Sequence, residues 1–195
     1  LSIRDARNCE ANLPVTIETP DAFSVIRLTK QDVSCNGLND GVLGYDGLGG
    51  VSDYSFIWSR NGETLEEIND LAPGSYCVTV TDANGCQVVR CDTISEPPAL
   101  VLTGVVTNAG CNGTATGGVD ITVMGGTGVF VYRWSDGPII NPVIFNGEDL
   151  VNQVAGNYCV LVTDIQGCEI SRCFDILEPA ALTITNSVVT EVSCA

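Results

Sequence analysis

Ten cysteines offer the clearest chemistry in this 195-residue sequence, because most of them recur at constant spacing. Two sets of four share the same order, and the last three members of each set lie 9 and 5 positions apart. These sets are Cys35, Cys77, Cys86, Cys91 and Cys111, Cys159, Cys168, Cys173. Regular spacing without any CxxC pair indicates disulfides formed in an oxidising compartment rather than metal ligands. We therefore expect an extracellular protein, secreted or displayed on a cell surface.

Acid–base and nucleophilic chemistry has little support in the composition. The chain has no histidine, which removes the usual general base, the commonest metal ligand and any Ser-His or Cys-His nucleophile system. An enzyme would have to use carboxylates alone, as glycosidases do. The candidate carboxylates crowd one loop in a run that is more typical of a charged surface: Glu63, Glu66, Glu67 and Asp70. The sequence predicts that the chain is not an enzyme.

Acidic residues near turns are the remaining candidates for holding a metal ion. Two turns pair Asp82 with Asn84 and Asp164 with Gln166, and each supplies roughly two or three oxygens where calcium needs about six. We interpret them as turn residues that bond their own backbone. A second acidic group in the first copy is interpreted as solvated surface: Asp40, Asp46 and Asp53. The prediction is no cofactor and no metal site, with calcium as the one cation considered.

The acidic balance of the chain limits its partners. Twenty-four acidic and eight basic residues give a formal charge of −16, which repels nucleic-acid phosphates and anionic lipid. No segment has the length and apolarity of a membrane span. The sequence therefore predicts neither nucleic-acid binding nor direct membrane insertion.

The chain is a tandem array of modules. Trp58 follows Cys35 by 23 positions and Trp134 follows Cys111 by the same distance, so both tryptophans are expected to anchor a core. Fragments of the same pattern occur at both ends, since residues 5–9 resemble 82–86 and residues 192–194 resemble 33–35. We expect the end of a preceding repeat at 1–22, complete repeats at 23–99 and 100–182, and the start of a following repeat at 183–195. The sequence is then a piece of a longer polypeptide.

Short alternating runs separated by Gly, Asn and Asp clusters predict β-strands, and no helical periodicity lasts for more than a turn. The predicted strands cover 25–28, 42–45, 54–58, 76–81 and 87–94 in the first repeat, and 101–106, 119–123, 129–134, 158–163 and 169–176 in the second. Tyr76 and Tyr158 follow segments typical of the corner of a β-sandwich, where a Tyr hydroxyl bonds nearby backbone. The expected fold class is all-β, with tandem immunoglobulin-like β-sandwich repeats stapled by disulfides.

The last two strands of each repeat form a hairpin whose register predicts two bridges. A three-residue loop at 83–85, with Gly85 in the left-handed position, pairs Asp82 with Cys86. Counting back along that register places Cys77 opposite Cys91, and the second copy places Cys159 opposite Cys173. Directly opposed residues have the separation that a cross-strand disulfide requires.

The other six cysteines allow more than one pairing. A bridge within a repeat is disfavoured, because Cys35 and Cys86 lie at opposite ends of the sandwich, about 25 Å apart. Sequential pairing leaves no thiol unpaired and is the preferred prediction: Cys9 with Cys35, Cys86 with Cys111, and Cys168 with Cys194. It requires the strand after 96–98 to fold back along the strand before it. A third possibility, Cys35 with Cys168 across stacked domains, also respects the topology, and spacing alone does not decide.

The second repeat contains a six-residue insertion between its tryptophan and the next cysteine. Trp58 to Cys77 spans 19 positions, whereas Trp134 to Cys159 spans 25. The inserted loop at 137–145 is rich in large apolar side chains, which either cover the edge of the sandwich or form a patch for a partner. The candidate partner contacts are Ile139, Ile140, Val143, Ile144 and Phe145.

These motifs together resemble the SprB-type repeats of Bacteroidota gliding adhesins. The resemblance is carried by Cys-Asn-Gly at 35–37 and 111–113, Gly-Gly-Thr-Gly at 125–128, Val-Tyr-Arg-Trp-Ser at 131–135, and the Gly-Cys and Glu-Pro closers. The first copy departs from the Gly-Gly-Thr-Gly turn at 49–53, and the hairpin cysteine pairs go beyond the family pattern. The resemblance implies a very long surface or secreted protein, exported by the type IX system and used in adhesion or gliding motility.

Two functions compete on this evidence. The preferred one is a structural segment of an extracellular adhesin or fibre that acts as a stiff stalk. The alternative is a binding module that recognises glycan or protein through loops between strands. The expected partners are neighbouring repeats of the same chain, other copies of the fibre, or surface glycans.

Overall fold

The computed structural model describes residues 2–16, 19–138 and 143–185, and this part of the chain contains fourteen β-strands and no helix. The chain divides into two compact units. One comprises Leu1–Asp32 and Asn39–Ser95, and the other comprises Val33–Leu38 and Glu96–Ala195. The short segment Val33–Leu38, which the sequence division assigns to the first repeat, therefore belongs to the second unit. No helix among the described residues combines the length and apolarity needed to cross a membrane.

The first unit contains a small hairpin and a six-stranded sandwich. Its strands are β1 (Ser2–Arg4), β2 (Glu10–Asn12), β3 (Ser24–Gln31), β4 (Gly41–Leu48), β5 (Ser55–Trp58), β6 (Glu67–Leu71), β7 (Gly74–Thr81) and β8 (Gln87–Ile94). Strands β1 and β2 pair only with each other, whereas the others form two antiparallel sheets, in the orders β3-β4-β6 and β5-β7-β8.

The second unit repeats the same sandwich. Its strands are β9 (Val101–Thr107), β10 (Gly117–Met124), β11 (Val131–Asp136), β12 (Leu150–Gln153), β13 (Gly156–Thr163) and β14 (Glu169–Ile176). The sheet orders are β9-β10-β12 and β11-β13-β14. In both units the first, second and fourth strands form one sheet, and the third, fifth and sixth form the other. This is the strand division of an immunoglobulin-like sandwich without its D strand, so the predicted fold class is confirmed.

Strands β6 and β12 are absent from the sequence-based prediction, because each is short and interrupted by a bulge. Asp70 and Asn152 adopt positive φ angles of 56° and 57° at these bulges, which breaks the alternation by which strands are recognised. The prediction that the first repeat's acidic cluster lies in one loop is therefore wrong in part. Glu67 and Asp70 lie on β6, and only Glu63 and Glu66 precede it.

Each sandwich is built around its tryptophan. Trp58 is 1% exposed and Trp134 is 0% exposed, as expected for core anchors. The indole Nε1 of Trp58 donates to the carbonyl of Leu65 (2.8 Å), and that of Trp134 donates to the carbonyls at 147 and 148. The indole of each tryptophan is thereby buried without leaving its polar N–H unpaired.

The predicted tyrosine corners are present in both units. The hydroxyl of Tyr76 donates to the carbonyl of Ala72 (2.9 Å), and the hydroxyl of Tyr158 donates to that of Val154 (3.1 Å). Each bond fixes the turn that leads into the fifth strand of the sandwich.

In the first unit, the contact between the last strand and the facing sheet is polar. Asp92 on β8 accepts hydrogen bonds from Arg27 Nη1 on β3 (2.7 Å) and from the Tyr45 hydroxyl on β4 (2.8 Å). Burial, followed by the hydrogen bond to Asp92, raises the pKa of Tyr45 to about 12.

The equivalent positions of the second unit are apolar. Phe174 occupies the place of Asp92, Ile121 that of Tyr45, and Gly104 that of Arg27. The ring of Phe174 lies directly over the Cα of Gly104, and Arg172 lies 5.2 Å from the centre of that ring. The two repeats thus join their first and last strands by different chemistry on the same backbone frame.

Candidate functional site

The recurring Asp-x-x-x-Cys segments are turns organised by the aspartate. The Oδ1 of Asp82 accepts hydrogen bonds from the amides of Asn84 (3.0 Å) and Cys86 (2.8 Å). Asp164 does the same for the amides at 166 and 168, and Asp5 for those at 7 and 9. Because a carboxylate accepts two backbone donors inside one tight loop, the hairpin turn keeps the same shape in all three copies.

The second carboxylate oxygen of each buried aspartate reaches a different loop. Asp82 Oδ2 accepts the amide of Val51 (3.1 Å), and Asp164 Oδ2 accepts both the amide and the hydroxyl of Thr127 (2.9 Å each). Burial raises the pKa of both carboxyls, but the hydrogen bonds outweigh it and hold each pKa below its ordinary value. These side chains join two loops at one end of each sandwich.

The Cys-Asn-Gly motif and the Glu-Pro closer of each repeat contact one another. The amide of Gly37 donates to Glu96 Oε2 (2.8 Å), while Asn36 Nδ2 donates to the carbonyl of Pro97 (3.1 Å). Such a contact requires a positive φ at the glycine, which is 81° at Gly37. We call this arrangement the Glu-Gly clasp.

The second repeat contains the same clasp. Gly113, whose φ is 71°, donates its amide to Glu178 Oε2 (2.6 Å), and Asn112 Nδ2 donates to Glu178 Oε1 (2.8 Å). Both motifs recur in the sequence, but their contact was not predicted from it. Their common recurrence in every complete repeat is the signal that would have paired them.

The two hairpin disulfides form in the predicted register. Cys77 is opposite and bonded to Cys91, and Cys159 is opposite and bonded to Cys173. Each bond closes a separation of 14 residues and lies across the last two strands of its sandwich.

The sequential pairing of the other cysteines is wrong. Cys35 is bonded to Cys168, the third possibility that the spacing left open, and the sulfurs join chain positions 133 residues apart. Within the described part of the chain, three predicted disulfide cysteines are free and exposed: Cys9, Cys86 and Cys111. The strand fold-back that sequential pairing needs does not form, because β9 pairs with β10 instead. Cys194 lies outside the described residues.

The bonded pair borders a cavity in the second unit. The cavity has a volume of about 430 Å³. One wall is formed by Asn36, Leu38 and residues 97–100, and the other by Gly126 and residues 167–170. Both Cys35 and Cys168 belong to the lining, so the disulfide forms part of the cavity surface.

The inserted loop of the second repeat lies beside the edge strand β11. The amide of Trp134 donates to the carbonyl of Phe145 (2.9 Å), and the amide of Ile144 donates to the carbonyl of Trp134 (2.8 Å). Val143, Ile144 and Phe145 nevertheless remain 40–43% exposed. The loop thus pairs with the edge strand while keeping apolar side chains in contact with solvent. Ile139 and Ile140, the other predicted contact residues, lie outside the described residues.

The acidic candidates for metal binding are dispersed. Asp46 lies on β4 and accepts the amide of Gly47 (2.7 Å), while Asp53 lies in a loop with a φ of 76°. Across residues 2–16, 19–138 and 143–185, no group of three or more His, Cys, Asp or Glu side chains has the arrangement of a metal site. The turn carboxylates of Asp82 and Asp164 accept hydrogen bonds from backbone amides, as predicted for turn residues.

Many solved structures match this chain, but with low sequence identity and low TM-scores. A structure titled for Dscam isoform specificity is 11% identical, with a TM-score of 0.39, and the match covers 83% of this chain and 47% of that one. A three-immunoglobulin-domain titin fragment is 12% identical (TM-score 0.38, covering 83% and 66%). Domains 4–9 of the surface layer protein SbsC are 14% identical (TM-score 0.32, covering 85% and 31%).

The chain therefore spans about half the length of the Dscam chain that it resembles. At these scores the similarities carry no functional argument, and the sandwich assignment rests on the strand order. No curated protein matches the sequence.

A family model gives the sharper result. Residues 103–138 match the model described as SprB repeat. The matched stretch runs from β9 through β10 and β11 into the start of the inserted loop, and it includes the second Cys-Asn-Gly and the Gly-Gly-Thr-Gly turn. The predicted resemblance to SprB repeats is confirmed for this stretch of the second repeat.

Proposed function

We propose that this chain is a segment of an extracellular shaft, in which disulfide-stabilised repeats carry tension along a surface adhesin or fibre. The SprB match and the three disulfides support an extracellular repeat of the adhesion type. The module is non-catalytic and requires no metal, in keeping with a sequence that lacks histidine and with turn carboxylates engaged by amides.

The disulfide between Cys35 and Cys168 is the observation that carries the proposal. Tension applied to the two ends of the chain enters at residue 35 and passes through the sulfur–sulfur bond to residue 168. The intervening residues, which include every strand from β4 to β13, are bypassed by the force. Such a covalent bypass keeps a repeat from extending when its hydrogen bonds fail.

Stretching single molecules between their ends tests this function. The oxidised chain is expected to extend about 450 Å less than the reduced chain, because 133 residues at up to about 3.5 Å each remain behind the bond. The variant Cys35→Ser, stretched without reductant, should show most of this added length, because only the residues behind the two hairpin disulfides remain held. Equal extension of the oxidised and reduced wild-type chains would contradict the proposal.

A binding module is the second candidate, and the inserted loop favours it. Val143, Ile144 and Phe145 expose three large apolar side chains, whereas the shorter loop after Trp58 exposes Leu65 alone. A binding function would place glycan or protein ligands on this loop.

The double variant Ile144→Ser/Phe145→Ser separates the two candidates. Its matched control is Val105→Ser, which removes a 71% exposed apolar side chain from β9 of the same unit. Retention of wild-type chain on a panel of glycans and surface proteins, lost in the loop variant and kept in the control, would establish a binding module. A chain that is retained by nothing on the panel, or equally in all variants, leaves the shaft as the function.

A further inference from the structure

The two Cys-Asn-Gly turns are built alike but differ in what their cysteine contacts. Both are held by the Glu-Gly clasp, with amide-to-carboxylate distances of 2.8 Å at Gly37 and 2.6 Å at Gly113. Cys35 is bonded to Cys168, with 5.6 Å between their Cα atoms. Cys111 is free and exposed. The second turn therefore has the geometry of the first, but its cysteine lacks the disulfide that Cys35 makes with Cys168.

The surface beside Cys111 is equivalent to one wall of the cavity beside Cys35. It forms a depression of about 450 Å³ lined by Asn112 and residues 179–182, which are the equivalents of Asn36 and residues 97–100. Among the described residues, the opposite wall, supplied beside Cys35 by Gly126 and residues 167–170, has no counterpart there. As a result Leu182 is fully exposed, whereas Leu100 at the equivalent position is half-buried against Gly126.

The chain contains a second turn that resembles this missing wall, at Cys86. Cys86 lies in a Gly-Cys turn of the same design as that of Cys168, with its amide 2.8 Å from Asp82 Oδ1, compared with 2.9 Å to Asp164. Gly50 lies against Asp82 as Gly126 lies against Asp164, with φ angles of 63° and 61°. Cys86 is also free and exposed.

The turn at Cys9 is a poorer copy. Its aspartate accepts the same amide, at 2.9 Å, but Asn8 replaces the glycine before the cysteine. Cys86 is thus the free cysteine that best reproduces the wall around Cys168.

We propose that the surface at Cys111 and Leu182 receives the Gly-Cys turn of another copy of this repeat, and that Cys111 bonds to that turn's cysteine as Cys35 bonds to Cys168. The inference rests on the proposed shaft function and deepens it by naming the partner of Cys111. In the reaction both thiols lose a proton, one sulfur–sulfur bond forms, and two electrons pass to a small disulfide such as oxidised glutathione, which leaves as two thiols.

The geometry of this bond determines the kind of assembly. The accepting turn at Cys111 and the donating turn at Cys86 are different surfaces of one chain, so the contact is heterologous. Heterologous contacts propagate head to tail instead of closing a symmetric dimer. Added copies are therefore joined head to tail by covalent bonds, as a shaft requires.

A complementation experiment tests the proposal with the full chain. A background carrying Cys9→Ser and Cys194→Ser removes the remaining free thiol and the one cysteine that lies outside the described residues. Adding Cys111→Ser gives a donor chain, and adding Cys86→Ser gives an accepting chain. Each is incubated in a buffer of reduced and oxidised glutathione, alone and as a 1:1 mixture, and then separated without reductant.

The expected result is a disulfide-linked dimer in the mixture alone, with a Cys86–Cys111 peptide identified by mass spectrometry, and a ladder of multimers in the background chain. Leu182→Asp in the accepting chain should slow dimer formation about tenfold, because it removes the burial of one leucine. The matched control Val105→Asp should leave the rate unchanged.

Absence of the mixed dimer would overturn the inference, as would homodimers of either single chain that form as fast as the mixed one. The internal Cys35–Cys168 peptide separates this failure from that of the proposed function. If that peptide is recovered while the mixed dimer is absent, only the inference fails. If it is missing from the oxidised background chain, the proposed function fails as well.

Discussion

Cys35 is covalently bonded to Cys168, although 133 residues separate them in the chain and their Cα atoms lie only 5.6 Å apart. Cys35 lies in the chain between β3 and β4, whereas Cys168 lies in the turn between β13 and β14. The segment Val33–Leu38 belongs to the second unit because this bond and the contacts of the Glu-Gly clasp hold it there. A bond that closes so long a loop restricts the unfolded chain strongly.

Removing this bond is expected to destabilise the protein more than removing a hairpin bond. In the chain-entropy account, closing more than 100 residues is worth about 4–5 kcal/mol and closing about 15 residues about 3 kcal/mol. Cys35→Ser/Cys168→Ser should therefore lower the denaturation midpoint further than Cys159→Ser/Cys173→Ser, measured by tryptophan fluorescence in urea.

Amide exchange provides the local control for this prediction. Residues 33–38 should lose protection in Cys35→Ser/Cys168→Ser and keep it in the hairpin variant. Equal protection of the segment in both variants would show that the bond does not hold it.

Asp164 and Asp82 make stability depend on pH in the acid range. Their hydrogen bonds to backbone amides outweigh burial and hold the folded pKa below the ordinary value. A lowered folded pKa means that the stabilisation is complete above the unfolded pKa of about 3.9 and disappears as the pH falls through the folded pKa. The urea midpoint of the wild-type chain should therefore decline below about pH 4.

The variants Asp164→Asn and Asp82→Asn should each flatten this decline while lowering stability at pH 7. Asp46→Asn is the matched control, since its carboxylate bonds only the adjacent amide of Gly47 among the contacts found. If the control flattens the acid profile as much as the turn variants, the turns are not the source of the pH dependence.

Weakening the Glu-Gly clasp is expected to lower stability slightly without unfolding the repeat. Glu178→Gln keeps the shape of the side chain but weakens its bonds to the amide of Gly113 and to Asn112, because hydrogen bonds to a charged acceptor are stronger by roughly 1 kcal/mol. The expected loss of stability is about 1 kcal/mol, with faster exchange of the Gly113 amide by NMR.

Glu169→Gln serves as the control for that variant, because its carboxylate accepts only the Thr163 hydroxyl in the bonds observed. Unchanged Gly113 exchange in Glu178→Gln would mean that the clasp contributes no local order.

Gly104 is required by the ring that lies over it. A Cβ at this position would lie 2.7 Å from two ring carbons of Phe174, so Gly104→Ala should destabilise the second unit by about 1–3 kcal/mol. Gly110→Ala is the control, since the nearest atom to its Cβ is a hydroxyl 3.6 Å away.

Replacing the ring of Phe174 by a smaller side chain tests whether the clash with this ring causes the loss of stability. Phe174→Leu should cost stability alone but relieve part of the cost of Gly104→Ala in the double variant, giving a favourable coupling in a thermodynamic cycle. Strictly additive losses would indicate that the two residues do not interact.

Features that depend on neighbours along the chain could be predicted from the sequence. A three-residue loop with glycine in the left-handed position sets the hairpin register, and that register alone places Cys77 opposite Cys91. Alternating patterns and recurring motifs were enough for the all-β sandwich class and the SprB resemblance. The bulged strands β6 and β12 escaped prediction because a positive φ within each interrupts the two-residue period.

Contacts between distant segments could not be predicted from the sequence and are seen in the folded chain. Several pairings of the remaining cysteines satisfy the same spacing, and the choice of Cys168 for Cys35 depends on which loops meet in space. The Glu-Gly clasp is similar: Gly113 and Glu178 are 65 positions apart, and their meeting requires the complete sandwich between them. Local backbone geometry is encoded residue by residue, whereas the partner of a long-range contact is fixed by the packing of the whole repeat.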